Sequence, residues 1–454
     1  MLVAAALALA AVHDLARHLT ATLAILAVAT LAWWWAVRSV EGERRLSLGT
    51  LLLVALLMRL PLLFLPPDLT EDPLRYLWDG RVIAAGANPY LLAPESEALA
   101  PLRDELWQRL PHRQVPTVYP PLALGAFSIA AASPAPMLTW KAIATAGDLA
   151  VCALLFALLR RRDPALVARS AWYAWCPLAA FESAGMGHVD ALAVAGAVAA
   201  VGAMLARPAT TRRALTAAAA AAAGVLVKLA PLAALPMWAR TLRTADGRWR
   251  RGAIFLAAAL ALAAAGLVPV AVACGGLPPG LVTYGVSWEW NGPLYEPLHR
   301  LLAGTDADGA AKRLLDATKE ATGHPPALNR VYPYLYPQFL AKLLLAIAAL
   351  AAVAASLFES DPVAGSRRLF GRLIVCSATV YPWYLLWLLP WAAADRHRPW
   401  LLAAALAPLA YLPQFSDVDL FPFVWAAVWL PPALLAGWLA WRRRRGAASA
   451  EAAS

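Results

Sequence analysis

Apolar runs of about 20 residues, set apart by short clusters of arginine, recur along almost the whole chain. A helix of that length spans the hydrocarbon thickness of a bilayer. Backbone in lipid must satisfy its own hydrogen bonds, so a chain patterned this way folds as a bundle of membrane helices. Composition agrees. Of the 454 residues, 61% are hydrophobic and 15% charged, and mean hydropathy is +0.59. A soluble domain carries about 45–50% apolar and about 25% charged residues. The surplus excludes a water-soluble core, a disordered chain, a fibre and a disulfide-rich secreted domain.

The net charge of +11 would suggest nucleic acid in a soluble protein. Here the basic residues stand in blocks between apolar runs, the pattern of cytoplasmic anchors, and no nucleic-acid partner is expected. The blocks are Arg38–Arg45, Arg160–Arg162, Arg207–Arg213, Arg240–Arg251, Arg367–Arg372, Arg396–Arg398 and Arg442–Arg445. Placing all of them inside predicts full crossings over Thr20–Val37, Leu46–Leu65, Leu138–Leu159, Ala165–Phe181, Val189–Ala206, Gly252–Ala273, Leu335–Phe358, Trp400–Leu412 and Leu420–Trp441. Three apolar segments break the parity of that layout. Pro121–Ala132 is expected to be a half-depth helix. Ala214–Ala239 and Leu373–Ala394 are expected to be hairpins that turn at Lys228-Leu-Ala-Pro231 and Tyr381-Pro-Trp-Tyr384. Met1–Val12 is too short to span alone. The expectation is an all-α polytopic membrane protein of about 10–13 membrane helices. It forms one domain over 1–454, with long extracytoplasmic loops at 67–119 and 274–334. Cys152, Cys176, Cys274 and Cys376 form no CxxC pair and suggest neither a zinc site nor a disulfide framework.

The densest polar run follows the second span: Glu71-Asp-Pro-Leu-Arg-Tyr-Leu-Trp-Asp-Gly-Arg81, then Gly86-Ala-Asn-Pro-Tyr90. Helical spacing puts Asp72, Arg75, Tyr76 and Asp79 on one face, with Asp72 as N-cap before Pro73. Glycines and the Asn88-Pro89 turn imply a defined loop path. Glu182, His188 and Asp190 stand around two glycines at a span boundary, where ionisable residues mark function or a helix cap. Lys228 lies deep in an apolar stretch, where a charge costs about 2.5–3.5 kcal/mol unless it snorkels or finds an anion. Glu289 and Asn291 sit among tryptophans in the second loop, and Trp383 and Tyr384 in the second hairpin. Aromatics beside acids and amides suit sugar rings, though they also form ordinary interfacial belts. No Gly-rich phosphate loop appears, so no nucleotide site is expected, and neither a cofactor nor a metal is implied.

These residues carry a resemblance. The Glu71–Arg81 run, Gly86–Tyr90 and Tyr119-Pro-Pro121 resemble bacterial GT-C membrane glycosyltransferases, above all polyprenol-phosphate-mannose-dependent mannosyltransferases and glycosyltransferase family 87. Trp175-Cys-Pro, Glu182 to Asp190, Lys228 to Pro236 and Pro382-Trp-Tyr to Pro390 continue the match in order. Tyr381 stands where the pattern has His, and Cys176 where it has Asn. The resemblance implies a sugar, mannose, carried on polyprenyl phosphate and transferred with inversion to an extracytoplasmic glycan or glycolipid at the cell membrane. It implies Asp72 as the general base, with Glu71 second. Arg75, Arg81, Lys228 and Arg330 would hold the donor phosphate. Tyr76, Asp79, Asn88, Tyr119, Glu182, His188, Asp190, Glu289, Asn291, Trp383 and Tyr384 would position substrate. The alternative is a polytopic transporter or lipid-linked-sugar flippase. Transporters concentrate polar residues at midplane sites, whereas these gather in two loops at one surface.

Overall fold

The computed structural model describes residues 1–41, 46–242, 249–418 and 420–451. Two of the basic blocks run partly outside them, at positions 42–45 and 243–248. Every regular element among the described residues is helical, and the only β pairing is an isolated bridge of Trp290 and Asn291 with Thr379. The protein is an all-α polytopic membrane protein. Among the described residues, five helices are long and apolar enough to cross a bilayer: Leu19–Val40, Pro136–Arg162, Arg250–Ala273, Pro337–Ser356 and Pro422–Arg445. Only 17% of the Arg250–Ala273 window and 22% of the Pro337–Ser356 window is buried by protein. Apolar surface left open on that scale calls for lipid.

Shorter pieces fill the interior. Ala165–Phe181, expected as one crossing, is instead a 3-10 turn (Pro164–Ser170), two single helical turns (Ala171–Ala174 and Pro177–Ala180) and a π-helix (Phe181–Gly185). Pro177 supplies no N–H and holds Cys176 extended, which stops the helix there. Nearly every side chain from Val167 to Asp190 is buried, the one setting in which irregular backbone survives at membrane depth. Trp400–Leu412 is likewise divided, into a helix (Arg398–Leu406) and a 3-10 stretch (Ala407–Phe415) that begins at the Pro408 turn. The second expected crossing is a helix over Leu48–Arg59 that tightens into a 3-10 turn at Pro61–Phe64.

Both expected hairpins form. The helix Thr211–Val227 ends at Lys228, and the chain returns through Ala230–Ala234 and Leu235–Thr241. The Arg250–Ala273 helix confirms the reversal, because its Gly252 lies against Ala239 while its Gly266 lies against Leu226. The second hairpin rises along Pro362–Val375 and returns along Pro382–Trp387 and Leu389–Asp395. A 2.8 Å ion pair of Arg367 with Asp395 joins its two legs. The Pro121–Ala131 helix has 11 residues, about 16 Å of rise, half the hydrocarbon thickness. It packs on the Asp72–Ala84 helix where Gly80 lacks a side chain. A Cβ there would stand 2.4 Å from the Phe127 carbonyl oxygen.

Charged side chains buried in the bundle are met by polar partners, as burial requires; Arg59, Asp148 and Lys141 are examples. Arg59 is ion-paired with Asp148 and donates to the carbonyls of Ala55 and Ala174 at 2.9 Å. The Tyr173 hydroxyl donates to Asp148 at 2.6 Å. Lys141 donates to the Leu62 carbonyl at 2.8 Å and also to that of Leu65. It thereby holds the turn from which the first long loop departs.

Candidate active site

The loop side of the bundle encloses a cavity of about 770 Å³, within the range of about 300–1,000 Å³ typical of small-molecule sites. Four pieces build it. The first loop supplies Glu71, Asp72 and Arg75; the first hairpin tip supplies Lys228; the second loop supplies Tyr284 and Trp290; the second hairpin supplies Tyr381, Trp383 and Tyr384. Close backbone approaches bring these pieces together. A Cβ on Gly280 would stand 2.3 Å from the Pro116 carbonyl oxygen, and one on Gly292 would stand 2.5 Å from that of Ser377.

Asp72 is the first residue of its helix, not the N-cap; that position falls to Glu71, and neither side chain makes a capping bond. Pro73 sits within the first turn and needs no acceptor, so the Asp72 carboxylate turns to the cavity. It accepts from the Tyr76 hydroxyl at 3.3 Å and is 36% exposed. Burial pushes its pKa up to about 6. Lys228 opposes the rise, while Asp190 and Glu71 add to it. Behind it, the expected helix face is present. Arg75 Nε donates to Asp79 at 2.9 Å and Nη2 donates to the Val115 carbonyl at 2.6 Å, so Asp79 aims Arg75 across the loop.

Lys228 caps its hairpin tip and is held there, not snorkelling. Its Nζ donates to Asp190 Oδ1 at 2.6 Å and lies 4.7 Å from the Tyr384 ring centre. Trp387 Nε1 donates to the same Asp190 oxygen at 2.7 Å. Lysine has three donors, and the side chain, 24% exposed, lines the cavity. His188 lies beneath Asp72. Its Nε2 is 3.3 Å from Thr70 Oγ1 and 4.0 Å from Asp72 Oδ2. Its Nδ1 is 3.0 Å from Glu182 Oε2, close but not aligned as a hydrogen bond. Tyr411 donates to Glu182 at 3.0 Å. The His188 ring stacks on Trp383 at 3.7 Å, and Trp383 on Tyr381 at 4.5 Å, making one aromatic wall.

The structure therefore brings Glu71, Asp72, Arg75, Tyr119, Lys228, Trp383 and Tyr384 onto one cavity, with Tyr76, Asp79, Glu182, His188 and Asp190 supporting them. Five residues singled out in the sequence lie elsewhere. Arg81 pairs with Asp104 at 2.5 Å on the loop surface. Arg330 is exposed and does not line the cavity. Asn88 closes its own turn on the Tyr90 N–H at 2.9 Å. Glu289 pairs with Lys342 at 3.0 Å. Asn291, at a positive φ of 50°, accepts from Trp429. The sequence reading passed over Thr70, Lys141 and Tyr284. Lys141 carries the signal that exposed Lys228, a cation inside an apolar run, whereas Thr70 and Tyr284 carry none. Among the described residues, no group of three or more His, Cys, Asp or Glu is placed to hold a metal ion.

A polytopic helical bundle with a carboxylate and an ammonium facing one loop-roofed cavity defines a membrane protein with a polar site among its loops. Residues 1–245 of the 454 match the MptA_B family, alpha-(1->6)-mannopyranosyltransferase, N-terminal domain. The chain belongs to that family, which supports mannosyl transfer as its activity and a sugar donor and a glycan acceptor as its partners. Comparison with curated proteins and with solved structures finds no match.

Proposed function

We propose that the protein transfers mannose from a polyprenyl-phosphate donor to an extracytoplasmic glycan or glycolipid, with inversion, at the cell membrane. The observation that carries this reading is that Asp72 and Lys228 line one cavity that also has an aromatic wall of Tyr381, Trp383 and Tyr384. The base takes the proton of the acceptor hydroxyl, the acceptor oxygen bonds to the anomeric carbon, and the bond from that carbon to the phosphate oxygen breaks. Its electron pair leaves on the lipid phosphate, beside Lys228. Asp72 is the base, because a carboxyl near 6 is unprotonated at neutral pH yet basic enough to accept a proton. Lys228 meets the phosphate charge as a charge-assisted donor. Arg75, with three of its five donors engaged by protein, more directly fixes the loop over the cavity. The aromatic wall offers its faces to the sugar or the first isoprene units. The whole of 1–454 acts as one unit, with 67–119 carrying the base and 274–334 closing over it, and one hydrophobic core running from Leu2 to Trp429 supports this.

The test is purified protein in liposomes with radiolabelled polyprenyl-phosphate mannose and an α-(1→6)-linked mannose oligosaccharide. Label should pass to the oligosaccharide, and NMR should show the anomer opposite to the donor's. Translocation of the lipid-linked sugar without transfer would make the protein a flippase instead.

A further inference from the structure

A groove of about 470 Å³ runs between the Pro337–Ser356 helix and the Pro362–Val375 leg of the second hairpin. Arg368 and Arg372 of that leg line it, whereas Phe370 and Leu373 of the same leg line the first cavity, so a helix separates the two. The facing wall is apolar. Ala348, Ala351, Ala352 and Ala355 follow the spacing of one helix face. They belong to a helix that the protein leaves mostly uncovered, so the groove opens toward lipid. Trp400 lines it too, lying where a Cβ on Gly371 would stand 2.9 Å from its ring.

The lining holds three guanidiniums and no carboxylate. Two of them are engaged from outside it: Arg367 pairs with Asp395 at 2.8 Å, and Arg368 with Glu359. The Arg372 side chain is exposed and, among the described residues, makes neither an ion pair nor a hydrogen bond. It stands one turn from Arg368, a spacing at which like charges repel unless an anion lies between them. It is also about 15 Å of helix rise from Pro362, at the end of the bundle away from the long loops. Helical side chains lean toward the N-terminus of their helix, which carries the guanidinium back toward that end and the lipid head groups. A charge at membrane depth needs a partner, and basic pockets between membrane helices take acidic head groups. A second copy of the chain docked by the same surface would set arginine against arginine. We propose that this groove binds an anionic phospholipid, with its phosphate between Arg368 and Arg372 and an acyl chain along the alanine face.

Native mass spectrometry of the full-length protein, given equal phosphatidylglycerol and phosphatidylcholine, tests it. The wild type should retain phosphatidylglycerol and release phosphatidylcholine. Arg372→Gln removes an exposed charge that holds nothing in the fold, and should weaken retention about 10- to 100-fold, the loss of a charge-assisted contact. Ala351→Leu keeps every charge but fills the groove, and should also expel the lipid. Arg212→Gln removes an exposed arginine from another basic block and should leave retention unchanged. Melting of each variant in nanodiscs confirms that it is folded. Full retention by Arg372→Gln or by Ala351→Leu, or an equal loss in Arg212→Gln, would overturn the site. Displacement of phosphatidylglycerol by equimolar polyprenyl phosphate would assign the groove to that lipid instead. A lipid-free dimer that Arg372→Gln splits would make it a contact between copies, and either result would overturn the proposal.

Discussion

The Asp72 carboxylate carries opposite consequences for activity and for stability. As the base it must be unprotonated, so kcat/KM should fall about tenfold per pH unit below about pH 6. Asp72→Asn should lower kcat by about 10²–10⁴-fold, and Glu71→Gln should be milder; the reverse order would move the base by one residue. Stability runs the other way. The folded pKa near 6 lies above the ordinary 3.8. Between those values the native state keeps a proton that the unfolded chain has lost, so stability falls as pH rises through that window. Above pH 6 the cost is fully present, and Asp72→Asn should melt higher than the wild type at pH 7, with the gap closing below about pH 4. Differential scanning of both proteins at the two pH values checks the sign. Lys228 behaves differently, because its partner Asp190 is wholly buried. Lys228→Met strands that carboxylate, a loss of about 3–5 kcal/mol, and adding Asp190→Asn should recover most of the melting temperature without restoring transfer. The sequence made both residues legible, since each is a charge next to apolar runs. It could not say that Lys228 meets Asp190, or that Arg59 meets Asp148, because pairing across 38 or 89 positions is a property of the packed bundle.

At the scale of elements, the site depends on how the Asp72–Ala84 helix is seated. Gly80 lets it touch the backbone of the Pro121–Ala131 helix, and the obstructing atoms are the carbonyl and amide of Phe127 and Ser128, which cannot swing aside. Gly80→Ala should therefore destabilise by about 1–3 kcal/mol, as overpacking does, and reduce transfer by displacing Asp72. Gly125 lies in the partner helix with open space around it. Gly125→Ala should be neutral or stabilising by up to about 1 kcal/mol through helix propensity. Equal losses in both variants, read as melting temperature and turnover, would refute the close-packing account. Helix identity and the two hairpins were legible from apolar length and charge parity. The break within Ala165–Phe181 was less so: Pro177 was visible, but a run apolar throughout reads as a crossing until its burial by neighbours is known.

For the whole molecule, the question is which way the bundle faces. Under the positive-inside rule the seven arginine blocks would put one side in the cytoplasm. Asp190 begins its helix at the Lys228 tip, so both belong to the same end as the long loops. The Arg367 and Asp395 pair lies at the other end, where the legs of the second hairpin begin and finish. If the parity holds, donor and acceptor meet on the extracytoplasmic face, and the Arg442–Arg445 tail is inside. Cys274 and Cys376 are partly exposed, so the four native cysteines would first be replaced by alanine or serine, with transfer activity as the check that the fold survives. Single cysteines in Ala93–Gln114 and Thr305–His324 should then react with an impermeant thiol reagent added outside intact cells, and a cysteine after Arg445 only once the membrane is opened. Labelling of both loops only after opening would invert the bundle and put Asp72 in the cytoplasm. Labelling of the two loops from opposite sides would break the parity itself, because the cavity requires both loops at one end.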